Sequence, residues 1–120
     1  MAKFYREEFA CKHCGKNYIQ PDFLDKLNRL GEKLKFPIVV TSGYRCSEHN
    51  QKVSTTGPNG PHTMGRAVDL AVRGVEALEV LEAALTMGEF SGFGIQQKGA
   101  VRFIHLDDII GDNRPMIWSY

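Results

Sequence analysis

Two histidines and one carboxylate stand at spacings that suit a metal ion. His62 and Asp69 bound the stretch His62-Thr-Met-Gly-Arg-Ala-Val-Asp69, and an apolar, strand-like run from Ala67 to Val72 begins inside it. A second histidine, His105, lies in another strand-like run, Phe103-Ile-His-Leu-Asp107. The first pair alone is a weak signal. Together the two stretches supply two imidazoles and a carboxylate, and with the fourth position left to water these form a common catalytic zinc set. Zinc in such a site polarises a carbonyl and lowers the pKa of its water toward about 7.

The environment of Asp69 strengthens the reading. By strand alternation it shares a face with Ala67 and Ala71, while Val68, Leu70 and Val72 fill the other face and should meet the core. A carboxylate among alanines is costly to bury unless it is paired or binds a metal. The bland alternative is an Asp on an exposed sheet face, and the alanine neighbours argue against simple solvation.

The cysteines form a separate group. Cys11-Lys-His-Cys14-Gly15 has the spacing of a metal-binding knuckle, and Cys46 is a third thiol. No second Cys-x-x-Cys follows, so the paired spacing that makes such a reading strong is missing. Two small buried thiols in a turn are the favoured expectation, with a second metal on Cys11, Cys14 and Cys46 as the alternative. His49 falls on a predicted helix, where a single histidine is more often packing or surface, and it is not assigned to metal. Three cysteines would leave one unpaired in any disulfide framework.

The elements that must position these groups belong to a chain of 120 residues, read as one domain over 1–120. An apolar fraction of 42% and a charged fraction of 24% are ordinary for a soluble globular chain. The net charge of +1 gives no electrostatic case for nucleic acid or an acidic membrane, which also counts against the knuckle as a nucleic-acid binder. No apolar run is long enough to span a bilayer. The N-terminal residues lack the apolar core of a signal peptide, so synthesis in the cytoplasm without an export signal is expected, as a monomer.

Phe23, Leu24, Leu27, Leu30 and Leu34 repeat at helical spacing and predict a helix over Pro21–Phe36. Pro37–Thr41 predicts a short buried strand leading into Ser42-Gly-Tyr-Arg45, where a turn at Gly43 lets Arg45 project from a strand end. Arg45 is as well explained there by a surface cation or a structural ion pair. Ser47–Val53 predicts a short helix capped by Ser47, and residues 54–61 a Gly/Pro-rich loop that delivers His62. Val75, Leu78, Leu81, Ala84 and Leu85 predict a scaffold helix ended by Gly88. Phe93–Gln97 and Ala100–Leu106 read as a hairpin with a tight turn at Lys98-Gly99. Arg114 and Trp118 in the tail either close over a cleft or cover the sheet.

In order, Ser42-Gly-Tyr-Arg45, His62-x-x-Gly65-x-Ala67-x-Asp69, Phe93-Gly-Ile, His105-x-Asp107, Arg114 and Trp118 resemble the zinc D-alanyl-D-alanine carboxypeptidase family, in particular its short, single-domain phage and prophage members. The resemblance covers most of the chain, the Glu8-Phe-Ala-Cys-x-x-Cys start included. It implies an α+β domain with a central, mainly antiparallel sheet and flanking helices, as in the hedgehog/D-Ala-D-Ala peptidase superfamily. It also implies zinc held by His62, Asp69 and His105, and cleavage of bacterial peptidoglycan peptides. Arg45 matches an arginine that holds the substrate's carbonyl or carboxylate, and Ser42, Arg114 and Trp118 are expected with it at the substrate. Because the fold also serves signalling domains, it does not prove peptidase action.

One position departs from the pattern. Many relatives carry an acidic residue three positions before the last zinc histidine, where this chain has Arg102. An arginine cannot serve as a base at ordinary pH. Asp107 is the expected catalytic base, with orientation of His105 or pairing to Arg114 as its alternative role. The expected activity is a zinc peptidase of carboxypeptidase or endopeptidase type that acts on the cell wall after phage-type delivery. The competing expectation is a non-catalytic wall- or partner-binding module that keeps a structural zinc.

Overall fold

The computed structural model describes residues 2–54, 59–111 and 113–120. It is an α+β structure. The order is a 3-10 turn (Arg6–Phe9), α1 (Pro21–Gly31), β1 (Val39–Ser42), α2 (Ser47–Val53), β2 (Ala67–Ala71), α3 (Gly74–Met87), β3 (Gly92–Gln96), β4 (Phe103–Asp107) and β5 (Met116–Ser119). The five strands form one sheet in the order β1-β2-β4-β3-β5. All pairs are antiparallel except β3 with β5, which are parallel. The expected mainly antiparallel sheet with flanking helices is what the chain forms.

Strand alternation divides the sheet as the sequence pattern requires. Val68 and Leu70 of β2, Ile104 and Leu106 of β4 and Phe93 of β3 join the buried core with Phe23, Leu27 and Leu30 of α1 and Ala77, Val80 and Ala84 of α3. Burial of a large apolar side chain contributes about 1.5–3 kcal/mol, so this face fixes the register. The opposite face is then fixed as well. Hydrogen-bonded neighbours place Ser42 beside Asp69, Asp69 beside His105, His105 beside Gly94, and Gly94 beside Trp118. One row of candidate site residues thus crosses all five strands, and cross-strand partners point to the same side.

Several elements differ from expectation. The first helix stops at Gly31 rather than Phe36. Gly31 packs against the backbone of Ala2, where a Cβ would lie 2.3 Å from the Ala2 oxygen, and the Ala2 N–H donates to the Gly31 oxygen. A tighter turn follows and still buries Leu34. β1 is an edge strand with Val39 65% exposed, not a buried one. It carries a bulge between Val40 and Ser42, and this irregularity sets Ser42 opposite Asp69. The hairpin's strands end at Gln96 and Phe103, which leaves a six-residue connection in place of a tight turn. Within it the Arg102 guanidinium donates to the Gly99 carbonyl, and Gln97 donates to the Val72 carbonyl. Cys46, not Ser47, caps α2 by accepting from the His49 N–H.

α3 turns only part of the expected stripe inward. Ala84 is buried and Leu81 packs against the core, but Val75, Leu78 and Leu85 are exposed, and Ala77 and Val80 are buried in their place. The helix carries two overlapping apolar stripes, and the one with the smaller side chains meets the core. Residues 55–58 of the loop expected over 54–61 lie outside the described residues. Among the described residues no helix is long and apolar enough to cross a membrane.

Candidate metal centre

His62, Asp69 and His105 converge. One ligand atom from each lies within 4.8 Å of the other two, and all three residues are buried. Asp69 Oδ1 is 3.4 Å from His62 Nε2 and 3.1 Å from His105 Nδ1. The register that sets Asp69 opposite His105 accounts for one side of this triangle. His62 arrives from the turn before β2. The Arg45 N–H donates to its backbone oxygen, and its ring contacts that of His105 with centroids 5.1 Å apart.

The outer nitrogens of the two rings decide which nitrogens are free. His62 Nδ1 is 2.8 Å from the Gly43 carbonyl oxygen. A carbonyl only accepts, so Nδ1 carries the proton and Nε2 keeps its lone pair. His105 Nε2 is 2.8 Å from Asp107 Oδ2. Asp107 is ionised beside Arg114, so Nε2 donates and Nδ1 is left with the lone pair. Both free nitrogens face Asp69 Oδ1. Two imidazole lone pairs and a carboxylate aimed at one point fit a zinc ion in chemistry and in number.

The electrostatics follow from the same contacts. With no metal bound, burial opposes the charge on Asp69, yet His105 and His62, which can then carry protons on the nitrogens that face it, hold it well below the ordinary carboxylate range. Burial pushes His62 down despite Asp69. For His105, burial is outweighed by Asp107 and Asp69, and its value rises.

Asp107 lies behind His105 rather than in the open part of the site. It is 0% exposed. Arg114 grips both its oxygens, Nε to Oδ1 at 3.0 Å and Nη2 to Oδ2 at 2.9 Å, and the Ile109 N–H donates to Oδ1. A Cβ at Gly92 would strike this carboxylate at 2.3 Å, so only glycine fits beneath it. Burial is again overcome, here by His105 and Arg114, and the acid stays strongly ionised. A base needs an oxygen free to meet a water, and these oxygens are engaged. Its contacts are with the two residues, His105 and Arg114, named in the alternative roles weighed for Asp107.

The remaining expected residues divide between the site and its supports. The Arg45 guanidinium reaches the site, with Nη2 3.3 Å from Asp69 Oδ2, while Nε donates to Ser42 Oγ and Nη1 to Asn50 Oδ1. Ser42 therefore holds Arg45. Arg114 spends its donors on Asp107 and stacks over Trp118, with its guanidinium carbon 5.1 Å from the ring centroid. Trp118 flanks His105 with ring centroids 5.2 Å apart. A cleft of about 180 Å³, lined in part by Lys12, Ser42, Tyr44, Arg45 and His49, opens beside the arginine.

Sequence reasoning missed four participants. Asn50, the Gly43 carbonyl and Gly92 were hidden because their roles come from long-range contacts. The Tyr120 hydroxyl was the fourth. It accepts from the Trp118 indole, and both groups lie over Gly94 beside His105.

A family model described as peptidase M15 matches residues 2–107. The chain belongs to the peptidase M15 family, whose members are zinc-dependent metallopeptidases. No curated protein and no solved structure gives a significant match.

Proposed function

We propose that this member of the M15 family is a zinc-dependent peptidase acting on bacterial peptidoglycan peptides, at a D-alanine-containing stem or cross-link, as a single domain over 1–120. The observation that carries the reading is the convergence of His62, Asp69 and His105, with both imidazole lone pairs turned to one point and Arg45 alongside. Zinc bound there supplies an activated water and a Lewis acid. His62, Asp69 and His105 hold it. Arg45 stabilises the oxyanion or clamps the substrate carboxylate. Lys12, across the same cleft, offers a second cation to a peptide with more than one carboxylate. Asp107 fixes the His105 tautomer, and Arg114 holds Asp107 in place. Trp118 and Tyr120 wall the site, with the hydroxyl available as a hydrogen-bond donor to the substrate.

The setting is the cell wall, reached by phage-type delivery. The test is cleavage of purified muropeptides by the zinc-loaded protein, followed by mass spectrometry, against His62→Ala. Loss of cleavage in the variant is expected. Equal cleavage by both would sink the reading.

Arg102 at the usual acidic position, together with the fully engaged oxygens of Asp107, favours one second reading: a wall- or partner-binding module whose zinc is structural. That reading expects zinc and peptidoglycan retention without hydrolysis.

A further inference from the structure

The fold brings Cys46 to the Cys11-x-x-Cys14 pair, from which it is far apart in sequence. Cys11 and Cys14 flank a tight turn closed by the Gly15 N–H donating to the Cys11 oxygen at 2.8 Å, and Gly15 takes the left-handed φ of +78°. Cys46 comes from the other side, at the start of α2. The three sulfurs all lie within 4.8 Å of one another, and none is in a disulfide. Tetrahedral zinc with bonds of about 2.3 Å holds its sulfurs roughly 3.8 Å apart, so this spacing suits one ion.

Backbone donors also point at two of the sulfurs. The Cys46 N–H points at Cys11 Sγ at 3.3 Å, and the His49 N–H at Cys46 Sγ at 3.4 Å. Donors aimed at sulfur favour the anionic form that binds metal. His13 Nδ1 lies 3.4 Å from Cys46 Sγ, which puts a nitrogen donor at the edge of the cluster. The expectation of two small buried thiols fails here, since Cys14 is exposed and Cys46 has joined the group.

We propose that Cys11, Cys14 and Cys46 bind a zinc ion, as a site distinct from the one at His62, Asp69 and His105. Soft thiolates select zinc over magnesium or calcium. The ion ties the N-terminal segment to the residue that follows Arg45. The same junction is pinned by the Tyr44 N–H donating to the Phe9 oxygen at 2.8 Å. The clip thus steadies the loop that presents the arginine. Each thiol releases its proton to solvent on binding.

The test is metal content of the full, untagged chain purified under reducing conditions without chelators, with cobalt substituted for zinc in parallel. Wild type should hold two ions per chain. Cys14→Ser, at an exposed position, should hold one and lose the thiolate-to-cobalt charge-transfer absorption. His62→Ala should also hold one but keep that absorption, so failure of either site is seen separately. A mercurial thiol reagent should release one zinc from the intact wild type, a readout that needs no variant to fold. Absence of the thiolate–cobalt band in wild type, or no zinc released by the mercurial, would overturn the proposal.

Discussion

Replacing Asp107 by Asn distinguishes a residue that orients His105 from one that moves the reaction's proton. In the wild type the carboxylate accepts from His105 Nε2 at 2.8 Å and from two nitrogens of Arg114 at 2.9 and 3.0 Å, with no exposure to water. An amide of the same shape keeps one acceptor and loses the charge. The His105 proton is then no longer held on Nε2, so the lone pair on Nδ1 is no longer assured. Loss of such a partner typically weakens metal binding about 10–100-fold, or roughly 1.4–2.7 kcal/mol. Arg114, only 12% exposed in its side chain, also loses its countercharge. Removing one partner of a buried pair costs about 3–5 kcal/mol, and the amide's remaining acceptor keeps the expected loss near 2–4 kcal/mol. Competition with a chromophoric chelator reads the first effect and urea unfolding the second. Zinc affinity within about threefold of wild type, with muropeptide turnover nonetheless abolished, would refute the reasoning and return Asp107 to the role of base.

Arg45→Lys should keep zinc stoichiometry but lower turnover about 10²–10³-fold, because an ammonium cannot span Ser42, Asn50 and Asp69 together; turnover at the wild-type level would remove Arg45 from the chemistry. Metal-free protein should lose melting temperature as pH falls below about 4. The depressed Asp69 and Asp107 contribute fully above about pH 4 and lose that contribution as pH falls. The raised His105 and the lowered His62 act in opposite directions around pH 6.5 and set no optimum of their own. A flat melting temperature from about pH 5 to 2 in metal-free protein would contradict this. Asp108, buried just beyond β4, accepts from Lys26 at 2.7 Å and from Arg66 at 2.8 and 2.7 Å, joining α1 to the ends of both ligand-bearing strands. Asp108→Ala should cost about 2–3 kcal/mol in urea unfolding, and a loss under about 0.5 kcal/mol would show that the network does not hold these ends.

The candidate ligand stretches were legible because burial and chemistry agree within a few residues. Asp69 stands out among alanines on a strand whose other face is plainly core, and its burial follows. For Asp107 the sequence offered a base or a partner of His105 and Arg114 and could not choose between them, because Arg114 reaches it only once β5 has paired in parallel with β3. Local pattern does not encode that pairing. The cysteine cluster was legible only as an alternative for the same reason, since Cys46 meets Cys11 across 35 residues. On α3 the pattern held two apolar stripes, and packing against the sheet and α1, rather than periodicity, chose the smaller side chains. The bulge in β1 has no signal in Val39-Val-Thr-Ser42, yet it sets Ser42 opposite Asp69.

Anomalous diffraction at the zinc edge, from crystals of zinc-loaded protein, tests the central claim most directly. A peak bonded to His62 Nε2, His105 Nδ1 and Asp69 at about 2.0–2.2 Å is expected. Zinc-loaded crystals with no peak among these three residues, or with the ion on the opposite ring nitrogens, would contradict the account.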